Sequence, residues 1–423
     1  MTLPFSKIRK YVLLITFLIL AGGVGYTLGE KKVGLTSTPK NGVVVHQDAP
    51  SGIDVDFSLF WDVWQKLGRY YIDRASLDTQ KMVWGAISGM VASAGDPYTV
   101  FLPPKENDEF KADLGGEFEG IGAQLGLKEN RIIVIAPLKG TPAERAGIRP
   151  SDWILKVDDK ETSGWTVAEA VTKIRGTRGT SVTLTLLHEN EMEPIDMAIR
   201  RDTILVPSVV SWVKQVSEIT EISAVPGAGA LKARADTIAY LSLSRFGDHT
   251  NEDWLKEVDS VLAQQGSLKG LVFDLRNNPG GYLEGSVFIA SEFLKSGQVV
   301  SQVNSDGSRQ EYQVDRKGKL YDIPMVVLVN KGSASAAEIV AGALRDHKRA
   351  RIVGETTFGK GSVQTPQDLP GGAGLHITTG KWFTPNGGSI NKEGITPDIE
   401  VKLEVYEASA DAQLAKAIEL LLQ

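Results

Sequence analysis

Apolar positions change their period several times along the chain, and each change marks a new segment. Tyr11 to Leu28 is one uncharged run of 18 residues, preceded by Lys7, Arg9 and Lys10 and followed by Glu30, Lys31 and Lys32. As a helix it would reach about 27 Å, enough to cross a hydrocarbon core. A helical period then aligns Phe57, Phe60, Trp61, Trp64 and Leu67, and again Val83, Ile87, Met90 and Val91, before a Gly95-Asp96-Pro97 turn. Val182, Leu184 and Leu186 alternate as in a strand, while Val167, Ala170, Val171 and Ile174 share a helical face. Beyond Asp202, apolar runs at 239–243, 271–275 and 325–329 alternate with helical stretches at 251–263 and 335–346. The pattern predicts a multi-domain α/β protein whose chemistry sits at the strand ends.

The expected order is a tail (1–10), a membrane span (11–28), a Gly/Pro-containing linker (29–52) and a small helical segment (53–112). A β-rich domain (113–201), an α/β core (202–401) and a C-terminal helical segment (402–423) follow. The last of these packs either on the core or on another subunit; the sequence leaves the oligomeric state open. Three positive charges on the short N-terminal flank keep residues 1–10 cytoplasmic and put the remainder outside. A cleaved signal peptide would carry a shorter apolar region and a small-x-small exit, so an uncleaved anchor is the favoured reading, with cleavage its alternative.

Composition narrows the classes. Hydrophobic residues at 42% and charged residues at 23% of 423 are globular proportions and exclude a wholly disordered or multi-span protein. The net charge of −6 has the wrong sign for a nucleic-acid binder. Without cysteine there is no disulfide framework and no thiolate nucleophile or ligand. No metal or cofactor is expected: the five histidines fall in no serine-protease or His-Glu-x-x-His pattern.

After the strand-like run 325–329 comes Asn330-Lys331-Gly332-Ser333-Ala334-Ser335-Ala336-Ala337-Glu338, leading straight into a helix. A serine at such a corner exposes its hydroxyl beside free backbone N–H groups, the geometry of a nucleophile at an oxyanion hole. It is equally the geometry of an N-cap serine. In Phe358-Gly359-Lys360-Gly361-Ser362-Val363-Gln364, Lys360 lies on a Gly-flanked turn. Desolvated, it would serve as the base, with Gln364 orienting its amine; the plain alternatives are a solvated lysine and a structural glutamine. Gly354 to Lys360 imitates the start of a P-loop, but Gly361 stands where Ser or Thr is needed to hold Mg²⁺.

Two resemblances bear on these choices. Glu119-Gly120-Ile121-Gly122-Ala123, Pro142-Ala143-Glu144-Arg145-Ala146-Gly147-Ile148 and Ser151-Asp152-Trp153-Ile154-Leu155 together resemble a PDZ domain. In it the N–H groups of Ile121, Gly122 and Ala123 would receive a peptide's terminal carboxylate while the peptide adds a strand. The chain after the span resembles the carboxyl-terminal processing (tail-specific) proteases. The match rests on the segment ending Gly95-Asp96-Pro97-Tyr98-Thr99, the PDZ domain, Asp274-Leu275-Arg276-Asn277-Asn278-Pro279-Gly280-Gly281, the serine corner, 354–364 and Ile390-Asn391-Lys392-Glu393-Gly394-Ile395-Thr396-Pro397-Asp398.

That resemblance implies a crotonase-like core in which Ser335, not Ser333, is the nucleophile. Lys360 is the base, Gln364 its orienting partner, and the N–H groups of Gly281 and Ala336 are the oxyanion donors. Asp346 supports the site, and Ala337 replaces a commonly repeated serine. The implied function is a membrane-anchored, extracytoplasmic serine endopeptidase cleaving non-polar C-terminal regions of proteins, with the PDZ domain selecting substrate tails and gating activity. Arg175, at the end of the PDZ helix, is read either as a contact to the protease core or as a solvated helix-end cation. The rivals are a non-catalytic PDZ scaffold, which would tolerate loss of Ser335, Lys360 or Gln364, and a crotonase-like acyl-CoA enzyme. An outside location and a peptide-binding module argue against the second.

Overall fold

Leu271, Phe273 and Leu275 pack into one hydrophobic cluster with Met325, Val327 and Val329, while Val272, Val326 and Leu328 pack into another on the opposite side. Strands apolar at every position are buried on both faces, as expected of a parallel sheet covered by helices. The computed structural model describes residues 55–423 except 130, 139, 189–190, 223–224, 265–267 and 403–409. The expected tail, membrane span and linker lie outside the described residues. Among those described, no helix is long and apolar enough to cross a membrane.

The central sheet orders its strands Val209–Gln215, Thr237–Leu243, Leu268–Asp274, Met325–Val329, Arg351–Gly354 and Ile399–Glu400. The first pair is antiparallel and the remaining pairs are parallel. Helices Thr250–Ala263, Leu283–Phe293 and Ala336–Asp346 bury Trp254, Phe293 and Val340 on one face. On the other face the C-terminal helix Ala412–Leu421 buries Leu414, Ala415, Ala417 and Ile418. Of the two destinations open to the C-terminal segment, this helix takes the core.

An antiparallel sheet built on Gly374–Phe383 lies beside this core. Ser362–Asp368, which carries Gln364, pairs with that strand, and so does Val100–Leu102. The region expected as a separate helical segment up to residue 112 is therefore divided differently. Residues 78–423 form one compact unit and residues up to Leu77 another. In the first unit, helix Ser58–Tyr70 leaves Phe57, Leu59, Trp61, Val63 and Leu67 exposed.

Glu117–Gly120 pairs antiparallel with Asp202–Leu205, clasping the chain where it enters and leaves a small β domain. That domain's sheet runs Ala123–Lys128, Arg131–Pro137, Trp153–Val157, Ser181–Leu187 and Ile195–Arg200, with helix Val167–Ile174 packed on it. Ala123–Lys128 is an edge strand. Arg175 stacks on the Phe118 ring at 4.5 Å, so its partner is the clasp strand.

One buried ion cluster fastens the C-terminal helix to the loop that follows Leu268–Asp274. The Arg276 guanidinium donates to Asp274 (2.6 Å) and to Asp411 (2.8 Å), and its Nη1 also donates to Gln413 Oε1 (3.1 Å); Tyr240 donates its hydroxyl to Asp274. Asp411 also caps the helix, accepting from the Leu414 N–H at 2.9 Å. Arg276→Ala strands two carboxylates around an apolar gap and is expected to cost about 3–5 kcal/mol. Asp411→Asn keeps an acceptor and is expected to cost about 1–2 kcal/mol. Urea unfolding followed by far-UV circular dichroism measures both, and equal losses would contradict the assignment of Arg276 as the hub.

Candidate active site

Ser335 is the residue at which strand Met325–Val329 has turned into helix Ala336–Asp346, and its backbone takes φ 53°, ψ −117°. A non-glycine residue pays about 1–3 kcal/mol to stay in such a conformation and does so only where neighbours hold it. They do here. Its N–H donates to Glu338 Oε2 at 2.8 Å, the Ala334 N–H donates to the Asn278 carbonyl at 2.9 Å, and Ser333 Oγ donates to the Leu275 carbonyl at 2.8 Å. Ser333 is fully buried and its hydroxyl is committed, also accepting from the Asn330 N–H. Ser335 Oγ is part-exposed and faces the Glu338 N–H as the acceptor of a capping box, while its own proton is donated to no described residue. The two serines thus differ: Ser333 serves as a structural tie, and Ser335 keeps an uncommitted hydroxyl proton.

The glycine loop 275–281 presses against this corner from the neighbouring strand. A Cβ on Gly280 would lie 2.7 Å from Ser335 Cβ, and one on Gly281 (φ 136°) would lie 2.0 Å from the Phe246 carbonyl oxygen. Only glycine fits at either position. Asn278 shapes the loop, its amide donating to the Leu243 carbonyl and its oxygen accepting from the Gly280 N–H. Among the described residues, neither the Gly281 N–H nor the Ala336 N–H has a backbone acceptor. Two unspent donors beside a free hydroxyl can receive a negatively charged oxygen.

Glu338 joins the serine corner to the lysine turn. It is completely buried; one carboxylate oxygen accepts from the Thr357 hydroxyl (2.5 Å) and the Gly359 N–H (2.7 Å), and the other from the N–H groups of Lys360 (3.0 Å) and Ser335 (2.8 Å). Burial raises its pKa against the pull of these hydrogen bonds. Trp382 holds the lysine turn from the other side, its Nε1 donating to the Lys360 carbonyl at 2.9 Å. Burial pushes the Lys360 ammonium below its ordinary value, while the charges of Asp96 and Glu338 oppose the shift. Its Nζ lies 5.3 Å from the centre of the Tyr98 ring and has no ion-pair partner within 4 Å among the described residues.

Ser335, Lys360, Gly281 and Ala336 thus converge through backbone contacts, and no hydrogen bond joins Ser335 Oγ to Lys360 Nζ. Gln364 donates to the hydroxyls of Ser362 (2.9 Å) and Thr378 (3.1 Å), not to Lys360. Catalytic hydrogen bonds of this kind often close only on substrate. Asp346 lies at the far end of the serine helix, about 16 Å along its axis, where it accepts from the Asn386 N–H at 3.0 Å. Sequence reasoning missed Glu338, although Ser335-x-x-Glu338 has the spacing of a capping box. Asn278 and Trp382 gave no such signal.

At the loop read as carboxylate-binding, the Ile121 carbonyl accepts from Ala143 and the Gly122 carbonyl from Leu138. The N–H groups of Ile121 and Gly122 have no backbone acceptor among the described residues. Ala123 begins the edge strand.

Glu338→Gln removes the charge and turns one acceptor into a donor facing backbone N–H groups. Turnover is expected to fall at least about tenfold with a smaller change in KM, because the loss is in positioning and not in substrate contact. Glu338→Ala orphans four donors and is expected to cost at least about 3 kcal/mol in urea unfolding. Parent-like values for both would remove Glu338 from the site.

Comparison with known proteins agrees with this architecture. Residues 237–401 match the model of peptidase family S41, and residues 133–187 match that of the PDZ domain. The chain is 36% identical over 367 residues to the carboxy-terminal processing protease CtpA of Bacillus subtilis, covering 86% of this chain and 73% of that protein. It is 38% identical over 356 residues to the carboxy-terminal-processing protease of Bartonella bacilliformis, covering 82% and 75%. A solved structure, the photosystem II D1 C-terminal processing protease, aligns with 85% of this chain and 96% of its own at 29% identity and a TM-score of 0.48. The chain belongs to peptidase family S41 and is a carboxy-terminal processing serine peptidase carrying a PDZ domain.

Proposed function

We propose that this peptidase works by a Ser335–Lys360 mechanism on protein C-terminal regions delivered by its PDZ domain. The observation that carries the reading is the Ser335 hydroxyl, its proton uncommitted, on a strained corner, beside two unspent N–H donors and tied through Glu338 to a half-buried lysine that has no ion pair within 4 Å among the described residues. Neutral Lys360 takes the Ser335 proton as Oγ attacks the scissile carbonyl, and the N–H groups of Gly281 and Ala336 receive the developing oxyanion. Lys360 then gives that proton to the leaving amine, forming an acyl-enzyme. Water, deprotonated by the same lysine, releases the new C-terminus and regenerates Ser335. Gln364 orients the amine once substrate has closed the site.

The edge strand Ala123–Lys128 and the unpaired N–H groups at Ile121 and Gly122 suit a peptide that adds a strand and ends in a carboxylate. Holding a tail there makes cleavage intramolecular and raises its effective concentration. Gating further requires that a bound tail favour one arrangement of the domains over another. We place the enzyme on the outer face of a membrane, anchored by the uncharged run 11–28; the support for this is the sequence.

Ser335→Ala and Lys360→Ala are each expected to lower kcat/KM at least about 10³-fold in folded protein, and Gln364→Ala about tenfold. A phosphonate probe should label the parent and not Ser335→Ala. Because burial lowers the Lys360 pKa, activity should rise with pH through a transition below the ordinary lysine value of about 10.4. Amidating a substrate's C-terminus should raise KM more than it lowers kcat. A free apolar tail peptide added in trans should activate cleavage of a second substrate; competition alone would reduce the PDZ domain to a tether. Carbonate-resistant membrane association, with digestion of intact cells from outside only, checks the location.

A further inference from the structure

Lys360 is covered by a loop from far away in sequence, 95–99, which no step of the mechanism above uses. The Tyr98 ring lies over Nζ at 5.3 Å. Asp96 folds the loop back on itself, accepting from the Tyr98 N–H at 3.2 Å and the Thr99 hydroxyl at 2.6 Å. Thr99 Oγ1 in turn accepts from the Thr378 N–H at 3.0 Å, and the Thr378 hydroxyl accepts from Gln364 Nε2 at 3.1 Å. Asp96 therefore reaches both functional groups on the base side of the site, Lys360 through space and Gln364 through a chain of hydrogen bonds.

We propose that the 95–99 loop is a roof that positions and tunes the base: the Tyr98 ring shields Lys360 Nζ from water, while the Asp96 carboxylate supplies the counter-charge and holds Gln364 through Thr99 and Thr378. The inference rests on Lys360 being the base. Two opposed effects act on one amine. Exclusion of water disfavours the ammonium, and a nearby carboxylate favours it. Their order matches the directions found at Lys360, where burial is the largest influence and Asp96 the leading opponent. Asp96 stays ionised: burial alone would raise its carboxyl, but the hydrogen bonds from Thr378, Thr99 and Tyr98 carry it below the ordinary value. The other titratable groups facing the amine are Glu338 on the serine helix and His376 on strand Gly374–Phe383; burial and the Lys360 charge hold the His376 pKa low. Tyr98 and Asp96 are positioning residues, since neither touches the reacting atoms.

The roof predicts pH shifts of opposite sign. Tyr98→Ala admits water, so the Lys360 pKa rises and the acid limb of kcat/KM moves up by about 0.5–1 pH unit. Asp96→Asn removes the counter-charge while keeping an acceptor for the loop, so the limb moves down by about 0.5 unit. Tyr98→Leu, an apolar cover without a ring, should leave the limb within about 0.2 unit of the parent. Should Tyr98→Ala fold poorly, a second readout needs no turnover: on the Ser335→Ala background, the pH dependence of Lys360 carbamylation by cyanate, followed by mass spectrometry, reports the same pKa. Opposite shifts for Tyr98→Ala and Asp96→Asn by either readout support the roof. Lower rates with unmoved limbs, or shifts of the same sign, overturn it. A Lys360→Ala enzyme with parent-like activity instead overturns the Ser–Lys mechanism itself, so the two failures are distinct.

Discussion

One buried carboxylate holds the active site together. Glu338 takes four hydrogen bonds, one from Ser335 and three from a segment 19 to 22 residues further on, and one of its oxygens serves both Ser335 and Lys360 through their backbone nitrogens. Hydrogen bonds to a charged acceptor are worth about 1.5–3 kcal/mol each, and taking a carboxylate out of water costs several kcal/mol. Burial outweighs the hydrogen bonds in setting its pKa. What the four bonds provide is a fixed distance. In the proposed mechanism Ser335 and Lys360 need alignment within about 0.5 Å, and a fully bonded carboxylate between rigid elements supplies it without entering the chemistry.

Around that clamp the central sheet supplies the rest. Strands Leu268–Asp274 and Met325–Val329 are parallel neighbours, so the loops leaving their C-terminal ends emerge side by side. One becomes the glycine loop 275–281, proposed to bear an oxyanion donor, and the other the serine corner. Asn278, Gly280 and the Ser333 hydroxyl lock the two together, while Arg276 anchors the first to the C-terminal helix on the opposite face of the sheet. Burial of both sheet faces resists sliding of one strand past the other, since core packing leaves no free volume for it. The strain at Ser335 is therefore held by the body of the enzyme.

The base side is built differently. Lys360 and Gln364 stand on a turn and strand of the second sheet, which also accepts Val100–Leu102 from the N-terminal part of the unit. Pairing of Val100 with His376 brings the 95–99 loop over the lysine. The PDZ domain joins the same body through the clasp of Glu117–Gly120 with Asp202–Leu205, so its entry and exit are coupled to one another. The edge strand Ala123–Lys128 and the Ile121–Gly122 loop then lie on a domain with two closely spaced connections to the rest of the unit.

Much of this was legible in the chain itself. Apolar runs at 239–243, 271–275 and 325–329 disclosed a sheet buried on both faces because such strands have no polar side to show. The Ser-Ala-Ser corner offered a candidate nucleophile, and the family resemblance pointed to Gly281 as an oxyanion donor. Sequence alone could not choose between Ser335 as nucleophile and as helix cap; a family resemblance made that choice, and the buried, committed hydroxyl of Ser333 then separated the two serines. Local pattern was silent about Glu338 as a bridge, Asp96 and Tyr98 as neighbours of Lys360, and Arg276 as partner of Asp411. Each of these is a contact between segments tens to hundreds of residues apart. Periodicity reports only what a residue shows to its own helix or strand, whereas burial of a charge and the partners that compensate it exist only once distant segments have been packed together.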